Sequence, residues 1–247
     1  DFSVKKIMND YTNPFVVAAA APATRADFYR KTYMLVAVAC AVFGLLLAGT
    51  LATPAIVNPL TRLFFGSGGF GWLLVLGGFW LISMFANRLA FGGVSTGTQL
   101  TGLGVYIVAE VLLFAPMLNL LMIQFGQDAM ISEIVAPAAL STLLLACGLT
   151  ATVFMTKTDF SFLRAFVSVG FFVVLGAVVL LTLFGTGIGT WGIIALTAFI
   201  SVVILYQTWM VKTQFRPDQH VGAALIIFSG IATLFWYLIM LFAERRD

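Results

Sequence analysis

The chain is poor in charge. Its 247 residues include 13 Lys and Arg and 10 Asp and Glu, only 9% of the whole, against roughly 25% in a soluble domain. That excludes an ordinary solvated surface. The net charge of +3 is small and scattered, so no nucleic-acid partner is expected. Histidine occurs once, at His220 close to Asp218, and one histidine cannot make a metal cluster. Cysteine occurs twice, at Cys40 and Cys147, in apolar runs and without CxxC spacing; both read as small buried thiols. No Ser/His or Asp/Asp pair stands at a useful helical spacing. Enzymatic chemistry is therefore not expected, and no cofactor or metal site is read.

What the chain has in excess is apolar length. It is 61% hydrophobic with a mean hydropathy of +1.06. Seven apolar segments cover 33–53, 70–90, 99–123, 134–155, 162–184, 190–210 and 221–242. Each reaches about 20 residues, enough at about 1.5 Å per residue to cross a hydrocarbon core of about 30 Å. The alternation over about ten residues that a membrane β-barrel needs is missing. The expected fold is all-α: a polytopic bundle of seven membrane helices over 33–243. A cytoplasmic amphiphilic arm (1–32) precedes it and a short polar tail (244–247) follows. No long apolar run precedes Tyr33, so no cleavable signal is expected.

Sidedness follows from basic residues. With the N-terminus inside, Lys5, Lys6, Arg25, Arg30, Lys31, Arg88, Lys157, Arg164, Lys212 and Arg216 lie inside, and Arg62, Arg245 and Arg246 outside. This bias favours N-inside and, with seven spans, C-outside. A re-entrant last segment would reverse the latter.

Glycine is frequent, with 23 residues. Gly44/Gly49, Gly102/Gly104 and Gly170/Gly176 allow close helix approach within a bundle or against a partner. The run Gly185-Thr-Gly-Ile-Gly189 joins two spans and lacks a lysine, so it is not read as a phosphate loop.

The polar exceptions within the spans are the site candidates. Glu110 is an acid about midway along the third span, where a bare charge is costly. Two readings stand: an ion or proton contact, or a protonated structural acid bonded to a neighbouring hydroxyl. Pro116 follows it by six residues, frees a backbone carbonyl and is expected to kink the helix. Asn87, Tyr206 and Gln207 are the possible polar neighbours of Glu110. Asn87 with Arg88 also reads as an interface stop. Trp209 and Lys212 read as headgroup anchors. Between the fourth and fifth spans, Lys157, Asp159 and Ser161 form an interfacial motif. Asp159 is expected to cap the next helix or make a turn, with Lys157 near enough to pair with it.

Four stretches carry a resemblance: Phe154-Met-Thr-Lys-Thr-Asp-Phe-Ser-Phe-Leu163, Glu110 to Pro116, Leu205-Tyr-Gln-Thr-Trp209 and Ala224-Leu-Ile-Ile-Phe228. With the seven-span layout they make the chain resemble the Bax inhibitor-1 (transmembrane Bax-inhibitor-motif) family, in particular its bacterial inner-membrane members. The resemblance implies a seven-helix bundle with a pH-sensitive calcium leak in some members, and association with a membrane protease in others. It also implies two aspartates on the last two helices. Here Gln207 and Gly230 take their places, so the two sensor carboxylates are missing. A glutamine and a glycine can neither share a proton nor hold a divalent ion. The expectation is thus a non-enzymatic accessory or regulatory subunit of a larger membrane complex, in contact with lipid. A calcium or proton leak with altered pH sensing is the alternative. A bacterial inner membrane is the expected location, an organellar membrane the other.

Overall fold

The computed structural model describes residues 15–66, 69–91, 95–184 and 188–246. Most of the N-terminal arm's first half, with Lys5 and Lys6, lies outside the described residues, as do Gly185 and Gly187. Every long element is a helix, and no strand occurs among the described residues. Eight helices matter: α1 (Pro22–Leu51), α2 (Pro54–Phe65), α3 (Gly69–Phe91), α4 (Thr96–Phe125), α5 (Gln127–Met155), α6 (Leu163–Phe184), α7 (Gly189–Thr213) and α8 (His220–Glu244). All but α2 are long and apolar enough to cross a membrane.

The first span begins earlier than hydropathy suggested. Pro22 sits in the first turn of α1, where its missing N–H is unneeded and its fixed φ favours the helix. Arg25, Arg30 and Lys31, placed in the arm by hydropathy, therefore ride on the first turns of a continuous α1. Asp27 pairs with both Arg30 (2.9 Å) and Lys31 (2.6 Å). Ahead of α1, a 3₁₀ turn at Val17–Ala19 folds back on the bundle. The Val17 N–H donates to the carbonyl of Phe215 at 2.7 Å, and its side chain is fully buried among Phe28, Val211 and Phe215.

Two further departures have local causes. Pro54 stops α1 from continuing and starts the short α2, which buries Val57 and Phe64. α5 starts at Gln127, several residues before the expected 134, through a π-helical turn at Met130–Val135. α4, by contrast, starts on a true cap: Ser95 Oγ accepts from the Thr98 N–H at 3.3 Å. It then runs through Pro116 without a break.

The core is built on α4 and α8. Phe43 of α1 packs edge-on against Phe114 of α4 and Phe228 of α8, with ring centroids 5.1 and 5.9 Å apart. α6 stands at the rim, touching α7 and the edge of α3. Phe166, Phe171 and Phe172 of α6 are exposed. The terminal segments lie at opposite ends. Val17 meets Phe215 at one end; at the other, Arg246 pairs with Glu133 at 3.1 Å and covers the Phe125 ring at 5.4 Å. α8 runs its full 25 residues, so the last segment crosses the bundle instead of turning back.

Candidate functional site

Glu110 is buried in α4, and no other acid among the described residues is. Helical spacing puts Tyr106 one turn before it and Phe114 one turn after, on the same face. The Tyr106 hydroxyl stands beside the Glu110 carboxyl and the Ser229 hydroxyl of α8. Its ring meets Phe228 at 6.2 Å. Phe114 meets Trp236 at 5.0 Å and Phe235 at 5.8 Å. Glu110 therefore sits at the level of the α8 stretch between Ser229 and Phe235, walled by aromatic rings. The acid's polar company is a hydroxyl chain, Glu110–Tyr106–Ser229.

Gln207 and Gly230 face each other. A Cβ built at Gly230 would overlap the Oε1 of Gln207 and come within 2.9 Å of Ile204 Cγ1. Gly230 is what lets α7 and α8 approach here, and the amide fills the space in front of it. That Oε1 is buried with no hydrogen-bond partner. Gly230 follows Ser229 in sequence, so the amide contact adjoins the hydroxyl chain. Gly230→Ala alone is expected to lower the stability of the detergent-solubilised protein by about 1–3 kcal/mol. Combining it with Gln207→Ala should recover most of that loss, because the short side chain vacates the contact. Additive losses in a thermal-unfolding cycle would show that the two do not touch.

The remaining sequence candidates lie elsewhere. Asn87 donates to the Ser83 carbonyl of its own helix at 2.7 Å. α3 continues past Asn87 and Arg88 to Phe91. Tyr206 turns away from Gln207 and stacks on Trp209 (5.9 Å) in a cluster with Val153. Neither Asn87 nor Tyr206 bonds to or stacks near Glu110. Trp209 is buried rather than set at the surface. Lys212 reaches across to α5, where its Nζ donates to the carbonyls of Val153 (2.6 Å) and Thr156 (3.2 Å) and lies over the Phe154 ring (5.7 Å). Those carbonyls end a helix and lack intrahelical donors, so Lys212 acts as a cap supplied from another span. Asp159 makes a turn rather than a helix cap: its Oδ1 accepts from the Ser161 N–H at 2.8 Å, and α6 starts only at Leu163. Lys157 is exposed and forms no ion pair with Asp159. Cys147 is exposed, against the expectation of a buried thiol, and Cys40 half-buried, neither in a disulfide.

Sequence reasoning missed Tyr106 and Ser229. The first was visible as a hydroxyl four residues before the acid, on the same helical face. It also missed the polar contact of Asn119, whose Nδ2 donates to Thr61 Oγ1 at 2.9 Å and approaches Asn58 Oδ1 at 3.5 Å. That contact depends on α2, which hydropathy did not reveal. Among the described residues no group of three His, Cys, Asp or Glu could hold a metal ion.

The fold and this interior define a multi-pass α-helical membrane protein with one buried acid among the described residues. The family model described as "Inhibitor of apoptosis-promoting Bax1" matches residues 25–247, so the chain belongs to the Bax inhibitor-1 family. It is also 30% identical over 215 residues to a Pseudomonas aeruginosa protein described as "Uncharacterized protein PA2604", covering 86% of this chain and 87% of that one. No solved structure matches it.

Proposed function

We propose that the protein is a non-enzymatic accessory or regulatory subunit of a larger complex in a bacterial inner membrane, with a membrane protease as one candidate partner. The observation that carries this reading is the Gln207–Gly230 contact. At the level where α7 and α8 meet, a neutral amide fills the space, and the interior is packed as a scaffold is packed. Two outward features suit a partner. α6 contributes little to its own bundle and exposes a phenylalanine-rich surface. Gly49 of α1 and Gly176 of α6 have nothing within 4 Å of where a Cβ would stand, whereas Gly102 and Gly170 are closed by α3 and by Phe199. Open glycines of this kind let another helix approach closely.

The test is purification in a gentle detergent with native mass measurement. A stoichiometric membrane partner supports the reading; a lone monomer overturns it. The arm supplies a finer version. Deleting residues 1–14 is expected to weaken association without losing membrane insertion. Deleting 1–20 should also cost about 1.5–3 kcal/mol of stability, since it removes the fully buried Val17. Full co-purification of the 1–14 deletion would remove the arm from the proposal.

A second reading, a calcium or proton leak with altered pH sensing, is favoured by the buried hydroxyl chain at Glu110. Proton and calcium flux in vesicles tests it.

A further inference from the structure

The backbones of α1 and α5 stay apart, and their side chains meet at one end, through the ring of Phe154. Between them runs a groove of about 1160 Å³, floored by α8 through Ile227, Ile231 and Phe235. Small residues line both walls: Ala37, Gly44 and Ala48 on α1, Ala139 and Ala146 on α5. The gap narrows at the end that carries the chain's N-terminal segment, where Phe154 of α5 meets Tyr29 (5.1 Å) and Tyr33 (6.0 Å) of α1.

Three observations say what fills it. The first is place: the walls are the hydrocarbon-spanning parts of two membrane helices, so the occupant is apolar along most of its length. The second is shape. The groove is pinched by Phe154 at one end, where a crossing helix would have to leave. A narrow flexible chain does not meet that obstacle. The third is polarity at the pinched end. Tyr33 lines the groove there, and its hydroxyl is buried without a hydrogen-bond partner. It faces the Thr150 and Thr208 hydroxyls, and that of Thr208 is also unpartnered.

The same end is basic. Arg30 lies one turn before Tyr33 and continues the groove-facing stripe of α1. Arg30 and Lys31 share the single carboxylate of Asp27, which leaves that cluster net positive. Lys157, just past the end of α5, is exposed and forms no ion pair among the described residues. Two helix ends thus present cations at the headgroup level, an unpaired hydroxyl sits below them, and an apolar channel runs from there into the bilayer. That order, charge then hydroxyl then hydrocarbon, matches the order of groups along a phospholipid.

We propose that the groove between α1 and α5 binds an anionic phospholipid, with its phosphate between Arg30 and Lys157, its ester oxygens at the Tyr33 hydroxyl and an acyl chain along the small-residue walls. Cys40 and Cys147 line the groove from opposite sides and report on its occupancy.

The experiment uses the full chain in detergent with added phosphatidylglycerol or phosphatidylcholine. Retained lipid is read by native mass spectrometry and the maleimide reactivity of Cys147 by rate. Retention of phosphatidylglycerol over phosphatidylcholine by about tenfold, with matching protection of Cys147, is expected. Arg30→Gln with Lys157→Gln should erase the preference. Gly44→Leu should abolish retention of both lipids, because its side chain enters space that is now open. The folding of each variant is checked by its unfolding temperature. Equal retention of the two lipids, or a preference that survives the paired Gln variant, overturns the proposal. So does Cys147 protection that appears only when another protein co-purifies, which would make the occupant a partner's helix.

Discussion

Gly102→Leu is expected to be the most damaging single substitution in the bundle. A Cβ at position 102 would stand 2.7 Å from the Ala86 carbonyl oxygen, 2.8 Å from the Ala90 nitrogen and 2.9 Å from the Leu89 Cβ. Two of those atoms are backbone, so no side-chain rotation relieves the overlap. α3 and α4 would have to move apart along a contact that also carries Phe79 against Tyr106 at 6.0 Å. Tyr106 holds Glu110 and Ser229, so separation of the two helices reaches the polar interior as well. The expected cost is about 3 kcal/mol, at the upper end of the overpacking range because the neighbours cannot yield. Gly104→Ala is the matched control. Two residues on, it has nothing within 4 Å and points away from α3. Its backbone gains helix preference, and it should be neutral or stabilising by up to about 1 kcal/mol. The checks are unfolding temperature and the yield of monodisperse protein. Equal behaviour of the two variants would mean that the α3–α4 approach is not set by Gly102.

This contrast marks the limit of what the sequence could reveal. Both glycines were visible as small residues in one span, but which of them meets a neighbour depends on the rotation of α4. The spans themselves were legible because a bilayer imposes one long, unambiguous requirement on apolar length. Their ends were less so. Hydropathy placed the start of α1 at 33, whereas the helix begins at Pro22, a start signal of a different kind that polar neighbours do not erase. α2 was missed because a short helix with Asn58, Pro59, Thr61 and Arg62 has no apolar run to detect.

The site shows the same division. Glu110 was legible because an acid in an apolar run is rare. The neighbours proposed for it were chosen for polarity, and polarity does not encode direction. Tyr206 and Gln207 are adjacent in sequence, so about 100° separates them around α7. One packs on Trp209 and the other on Gly230. The real neighbour, Tyr106, obeys the spacing of four that places two side chains on one face. Ser229 could not be read at all, since it depends on the register between α4 and α8.

Glu110 is where stability and transport make separable predictions. Glu110→Leu removes the carboxyl beside the Tyr106 hydroxyl while the hydroxyl stays buried in an aromatic cage. The expected loss is about 1–3 kcal/mol, the cost of leaving a buried polar group unsatisfied. Glu110→Gln keeps an oxygen in the same place and should retain most of the stability. Its amide has no proton to exchange near neutral pH. In vesicles, any proton or calcium flux that varies with pH should therefore vanish in Glu110→Gln while the protein stays folded. The reason is local: Glu110 is the buried acid of the described spans, and Gln207 and Gly230 offer no second one. A pH-dependent flux that persists unchanged in Glu110→Gln would remove Glu110 from any transport role. No flux in either protein, with Glu110→Leu destabilised, would leave the acid as a structural hydrogen-bond partner and favour the scaffold reading. Tyr106→Phe separates these cases further. In a structural chain it should cost at least as much as Glu110→Leu, and the two losses should add to less than their sum, because both disrupt the Glu110–Tyr106 contact.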